Sequence, residues 1–356
     1  MPENMFDLSD TLKQIRVALS NYLLEQEKKR LMDLEILNIS HRPFSILAFL
    51  KVRTSIDSQK MVMKTTVHHP VNIAVTKQEN QSVVEYNILR YLYPRFEKIE
   101  KCSVPRPILI LPEIETYLMG FVEGELLVDD FRYSRYLSSR NGFQLLKEYY
   151  YHCGRWLKHF KEFTGIRYGG AETLNGVVER CNYRLELIEA LSDPRCPKNL
   201  REKVMGYLYG QLSQLKGEKI SVSGCHGDFG SWNILVGPAG VSVIDFLGYG
   251  EDPFPVDLLK MLMSFEDGKK YLIYNPRRIE GLRKSFLEGF GPLPLVPTQV
   301  LTICETFHRI CSVLACLSSK EARMHRRIER RLCLKANLEW LTNERQRKLL
   351  WPNSNH

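Results

Sequence analysis

The chain has 356 residues, 44% of them hydrophobic and 26% charged, and 50 Lys and Arg against 41 Asp and Glu leave a net charge of +9. That is enough to bury a sizeable core in two lobes, with no internal repeat or low-complexity tract. The polar opening MPENMFDLSD excludes a signal peptide as the expected start, and nine cysteines without a CxxC pair point away from zinc and toward a reduced, cytoplasmic setting.

Residues 9–28 place Leu12, Ile15, Leu19, Tyr22 and Leu23 at helical spacing behind Ser9 and Asp10. This predicts an amphipathic helix, within an N-terminal segment 1–32 packed on the body of the protein. From 33 to 124 the pattern turns to short strands rich in β-branched and aliphatic residues, DLEILNIS, SILAFLKVRT and QKMVMKTTV. A helix is expected over 80–96, then strands in PILILPE and TYLMGFVEG. Beyond 125 the chain reads as mostly helical except for a strand–loop–strand unit at 220–246. The apolar stretch 300–317 is interrupted by Glu305, His308 and Arg309, so it is expected to be a buried bundle helix rather than a membrane span. The fold class expected is α+β and bilobal, with a β-rich lobe over 33–124 and a larger, mainly helical lobe over 125–356.

Chemistry concentrates in CHGDFGSWNILV, residues 225–236, followed by VSVIDF at 241–246. Two apolar runs around GPAG predict a hairpin with Asn233 at its entry and Asp245 at its exit. An amide oxygen and a carboxylate converging there make a hard-oxygen Mg²⁺ site with room for phosphate oxygens. Asp228, five residues before Asn233, is placed to orient an attacking hydroxyl or take its proton. Upstream, Lys64 stands in the strand MVMKTT, and Glu85 follows on a helix about twenty residues later. Such a strand–helix ion pair holds an ammonium against nucleotide phosphates. The run LMGFVEGE (118–125) has the make-up of an inter-lobe strand whose backbone pairs with adenine.

Together these residues resemble the aminoglycoside phosphotransferase and choline kinase group of small-molecule kinases, relatives of the protein kinases. The carrying motifs are MVMK with Lys64, VVEYNILRYL with Glu85, VPRP at 104–107, LMGFVEGE, HCGRWLKHF at 152–160, HGDFGSWNILV, VIDF and DPFPVDLLKM at 252–261. HGD in place of HRD points to the small-molecule branch. The resemblance implies a protein-kinase-like fold with Asp228 as catalytic carboxylate, and Asn233 and Asp245 both catalytic and metal-binding. Lys64, steadied by Glu85, is the implied phosphate anchor, with main-chain groups of Gly120 and Val122 on the adenine. His226 is expected to brace the loop, and Asp257 to cap its helix or support the catalytic loop. One departure stands out: NISHRPFS (38–45) contains no glycine, so Ser40 or Ser45 is the expected hydroxyl over the phosphates.

The implied activity is Mg²⁺- and ATP-dependent (or GTP-dependent) phosphoryl transfer to a hydroxyl of a sugar, glycan precursor, amino alcohol or aminoglycoside-like acceptor. A basic chain argues mildly against a polycationic aminoglycoside. The aromatics of 129–152 are expected to be core, with stacking on a sugar ring or gripping an anionic group the other reading. Two alternatives are a nucleotide-binding regulator (a pseudokinase) and a kinase-fold protein recruited to an anionic membrane. The latter would act through residues 321–348, which hold nine Lys or Arg against four Glu. A solvated helix face is favoured there, and no nucleic-acid motif accompanies it.

Overall fold

The computed structural model describes residues 8–42, 44–67, 80–128, 137–270, 274–319, 324–343 and 347–351. The chain divides into two compact units, Met1–Gly124 with Ser242–Leu247, and Glu125–Val241 with Gly248–His356.

The first unit begins with helix α1 (Leu8–Gln26), then strands β1 (Leu31–His41), β2 (Ser45–Thr54) and β3 (Ser58–Thr66). Helix α2 (Gln81–Phe96) follows, with β4 (Cys102–Ser103), β5 (Pro107–Leu111) and β6 (Thr116–Gly120). Five of the strands form an antiparallel sheet in the order β1-β2-β3-β6-β5. Side chains alternate across a strand, so Met61 and Met63 of β3 face the core that Ile15, Leu19 and Leu23 of α1 complete with Leu50, Val52 and Leu118. Each such fully buried aliphatic side chain contributes roughly 1.5–3 kcal/mol. The same alternation turns Lys64 to the opposite face, where α2 brings Glu85. Asn80 starts α2, its side chain accepting the N–H of Val83.

The second unit carries β7 (Glu125–Leu126), α3 (Arg140–Thr164), β8 (Ile166–Gly169), α4 (Asn175–Ala190) and α5 (Leu200–Ser213). It continues with β9 (Ile220–Cys225), β10 (Ile234–Gly237), β11 (Gly240–Val243, whose last residues fall in the first unit) and β12 (Gly250–Pro253). Helices α6 (Val256–Gly268), α7 (Pro276–Phe290), α8 (Thr298–Ser318) and α9 (Met324–Thr342) complete it. Strands β12, β9 and β8 form an antiparallel sheet whose central strand ends directly before His226. Helices α3 and α7 cross closely because glycines meet there. A methyl group at Gly154 would overlap the main chain of Phe286, and one at Gly289 that of Tyr151. Among the described residues α8 is the one helix long and apolar enough to cross a membrane, and 67% of its most apolar window is buried within the unit. Its charged pair is satisfied there: Arg309 donates to Glu305 at 2.6 Å and to Asn337 at 2.9 Å, and Glu305 accepts the N–H of Leu350.

The architecture is the expected α+β one, an antiparallel sheet region followed by a helical region. Three details differ. Residues 242–247 cluster with the first unit rather than the 125–356 region. Strands β8 and β12, four residues each, add to the expected elements, since runs that short carry no readable period. The basic stretch 321–348 is helical only over Met324–Thr342 among its described residues. All nine cysteines are free thiols.

Candidate active site

In the first unit, Lys64 is buried and its Nζ donates to Glu85 Oε1 at 2.8 Å and Asp245 Oδ1 at 2.7 Å. Burial opposes the charge on Lys64, but the carboxylates of Asp245 and Glu85 more than offset it, so its pKa ends above the ordinary lysine value. Glu85 Oε1 also accepts the N–H of Phe246 at 2.8 Å, which ties the chain after Asp245 to α2. Asp245 itself has φ 68°, the left-handed region that a side chain rarely adopts. That strain costs on the order of 1 kcal/mol or more and persists where surrounding bonds over-determine it, a common condition at functional positions.

The expected adenine and phosphate contacts fall on the same unit. Gly120 ends β6 and its N–H is already given to the carbonyl of Arg106 at 2.8 Å. The main chain of Val122, two residues on, has no hydrogen bond among the described residues. Ser40 lies half-buried at the penultimate position of β1, and Ser45 is buried at the start of β2. The Arg42 N–H bonds the Ser45 carbonyl at 2.8 Å, so the pairing of β1 with β2 extends to residues 42 and 45 of the stretch that lacks glycine.

In the second unit the loop 226–233 is built from its supports outward. Asp257, buried in the first turn of α6, accepts the N–H of His226 at 2.9 Å and of Gly227 at 3.0 Å. Lys161, buried on α3, donates to Asp257 at 2.9 Å and to the Gly224 carbonyl at 3.0 Å. Burial pushes the Asp257 carboxyl up, but Lys161 and the His226 N–H pull it below the usual aspartate range, so it stays ionised. Gly227 turns the chain at φ 82°, and a side chain there would strike the Gly248 carbonyl. Phe229 anchors the loop by stacking on Trp156 at 5.5 Å. His226 is fully buried, and its Nδ1 accepts the Asp228 N–H at 3.4 Å. Asp257 is therefore a loop support rather than a cap: no side-chain cap bond is made at that helix start.

This frame presents Asp228, half-exposed, with both oxygens engaged. Trp232 Nε1 donates to Oδ2 at 2.8 Å and Asn233 Nδ2 to the same atom at 3.1 Å, while Lys260 Nζ lies 3.1 Å from Oδ1. The Asn233 amide nitrogen also reaches the Asp228 carbonyl at 3.0 Å. Its nitrogen is thus turned to Asp228, and the amide oxygen is the atom left for a cation. Among the described residues no group of three or more His, Cys, Asp or Glu could hold a metal. A cation relying on one amide, one carboxylate, waters and phosphate oxygens is what Mg²⁺ accepts, so the donor types of Asn233 and Asp245 fit that ion.

Of the expected residues, the structure gathers Lys64, Glu85 and Asp245 in one cluster and Asp228 and Asn233 in another. Sequence reasoning assigns no role to Trp232, Lys260 or Lys161. Lys161 continues the inward α3 stripe of Trp156, Leu157 and Phe160, and a lysine on that inward stripe is the one signal that marks it. Tyr150, from the aromatic run 129–152, is buried against Phe265 at 4.9 Å, as expected of core, whereas residues 129–136 of that run lie outside the described ones.

No protein-family model matches the chain, and no curated protein matches it at a significant level. Solved structures do. Amicoumacin kinase hAmiN, in complex with AMP-PNP, Ca²⁺ and amicoumacin, superposes with a TM-score of 0.57 at 14% identity over 98% of this chain and 96% of its own. A choline kinase from Cryptosporidium parvum gives 0.56 at 13% over 93% and 96%. A glucosamine kinase in complex with glucosamine, ADP and inorganic phosphate gives 0.55 at 16% over 87% and 81%. The chain therefore has the fold of the small-molecule kinases, the class its motifs resemble.

Proposed function

We propose that the protein is a phosphotransferase that moves the γ-phosphoryl group of ATP, with Mg²⁺, to a hydroxyl of a small molecule. The observation that carries this is the buried Lys64, held between Glu85 and an Asp245 in strained backbone conformation. A fully buried lysine kept charged by two acids is costly as mere structure and is suited to polyanionic phosphates. The nucleotide-bound states of the kinases with this fold support the same reading.

In this proposal Lys64 neutralises the phosphates, and Asn233 and Asp245 hold the metal, whose charge offsets that developing on the transferring group. The Val122 main chain and the Gly120 carbonyl take the adenine edge, and the hairpin bearing Ser40 covers the phosphates. The acceptor hydroxyl oxygen forms its bond to the γ-phosphorus as the bond from phosphorus to the β–γ bridging oxygen breaks. That electron pair leaves with ADP, and the hydroxyl proton passes to Asp228. Both Asp228 oxygens already receive hydrogen bonds or an ion pair, which favours orienting the hydroxyl and taking its proton late. Thermal unfolding with ATP and MgCl₂ tests the reading: the wild type is expected to be stabilised by several degrees, and Asp245→Ala to lose most of that shift. A wild-type chain indifferent to ATP would end it.

A further inference from the structure

A cavity of about 330 Å³ lies within the second unit, lined among others by Trp232, Lys260, Asp267, His308, Ser312 and Arg326. Two of these, Trp232 and Lys260, bond directly to Asp228, so the cavity opens beside the proposed catalytic carboxylate. Resting on that reading of Asp228, we infer that the cavity is the acceptor site, that Lys260 fills the position an acceptor's ammonium group would take, and that the acceptor is an uncharged or anionic hydroxyl compound.

A carboxylate next to the face of an indole is what binds an alkylammonium ion, through ion pairing and cation–π attraction. Here the protein supplies the ammonium itself. Lys260 Nζ is 3.1 Å from Asp228 Oδ1 and 5.1 Å from the Trp232 ring centre. Burial opposes its charge, but Asp228 more than offsets that and holds its pKa above the ordinary lysine value, so the cation is permanent at neutral pH. The one carboxylate among the described lining residues, Asp267, is itself committed to Lys270 at 3.0 Å and Ser312 at 3.4 Å. Arg326, which also lines the cavity, is paired with Glu329 at 3.2 Å, and His308 is neutral, donating through Nε2 to the Val256 carbonyl at 2.7 Å. A cationic acceptor would meet like charge and find no vacant acid among these residues, a repulsion that itself confers selectivity. What remains is apolar and aromatic wall with serine and tyrosine hydroxyls, suited to the faces and edges of a polyol.

The test works whatever the acceptor's identity. Removing the lysine side chain should open a site for a free ammonium ion. Full-length wild type and Lys260→Ala are titrated with ethylammonium and choline chlorides, with ethanol and NaCl as controls, reading thermal shift and tryptophan fluorescence. The variant is expected to bind at least one of the two cations at least ten-fold more tightly than the wild type and to ignore ethanol. Lys260→Gln, which keeps the chain length but not the charge, is measured in parallel in case the alanine variant folds poorly. Equal ammonium binding by wild type and both variants, or no binding by either variant, overturns the inference. ATP with Mg²⁺ is titrated into the same samples, because the groups proposed to grip the nucleotide do not include Lys260. A retained ATP response without any ammonium response would sink this inference alone, whereas a wild type blind to ATP would sink the phosphotransferase reading.

Discussion

Single buried charges in this protein are balanced one against another. Lys161 and Asp257 are both essentially inaccessible to solvent and 2.9 Å apart, and Asp257 holds two N–H groups of the candidate catalytic loop. Lys161→Met leaves that carboxylate without its cation, and loss of one partner of a buried pair costs roughly 3–5 kcal/mol. Urea denaturation should show that loss. The double variant Lys161→Met/Asp257→Leu should cost less than the sum of the single changes, because the pair is coupled. His308 gives a pH signature. Burial first, then the charge of Lys260, lowers its pKa from 6.5 to about 3. Between those values the unfolded chain binds a proton that the folded chain refuses, so stability falls as pH drops through the window, by about 1.4 kcal/mol per unit. Compared at pH 7 and pH 5, His308→Gln should lose about 2 kcal/mol less than the wild type; equal losses would refute the assignment.

At the scale of elements, the sheet of the first unit depends on α1 for the cover of one face. Leu19 is fully buried among strand residues of that core. Leu19→Ala should destabilise by roughly 2–5 kcal/mol, the range for a buried leucine truncated to alanine. The effect should appear as a lowered denaturation midpoint with unchanged slope. The helical unit relies instead on close approach, and Gly154→Ala forces α3 away from α7 near Phe286. Much of this is legible in the sequence: α1, the first three strands, the helix bearing Glu85 and the apolar α8 all announce themselves by sustained period. What escapes it are β8 and β12, each four residues long. The end of the basic helix at Thr342 escapes it too, although Arg347 continues the stretch by stacking on Tyr207 at 3.5 Å.

For the whole molecule, the proposal predicts linkage between nucleotide and stability. A ligand that binds only the folded state at a hundred times its Kd stabilises by about 2.7 kcal/mol. ATP with Mg²⁺ should approach that value in denaturant melts of the wild type. Lys64→Ala should lose most of the response, and Lys260→Ala should keep it.

By itself the sequence determined which elements carry Lys64, Glu85, Asp228, Asn233 and Asp245, because strand alternation, helical period and turn residues act over a few positions. The tertiary structure alone decided how those groups are engaged. The acid at 257 directly holds a loop thirty residues back and is itself paired with a lysine ninety-six residues away, and Asp228 is met by a lysine from a later helix. Ion pairs between segments distant along the chain leave no mark on local pattern. Yet in a poorly solvated interior they set which charges persist, and so which molecules the cavity can admit.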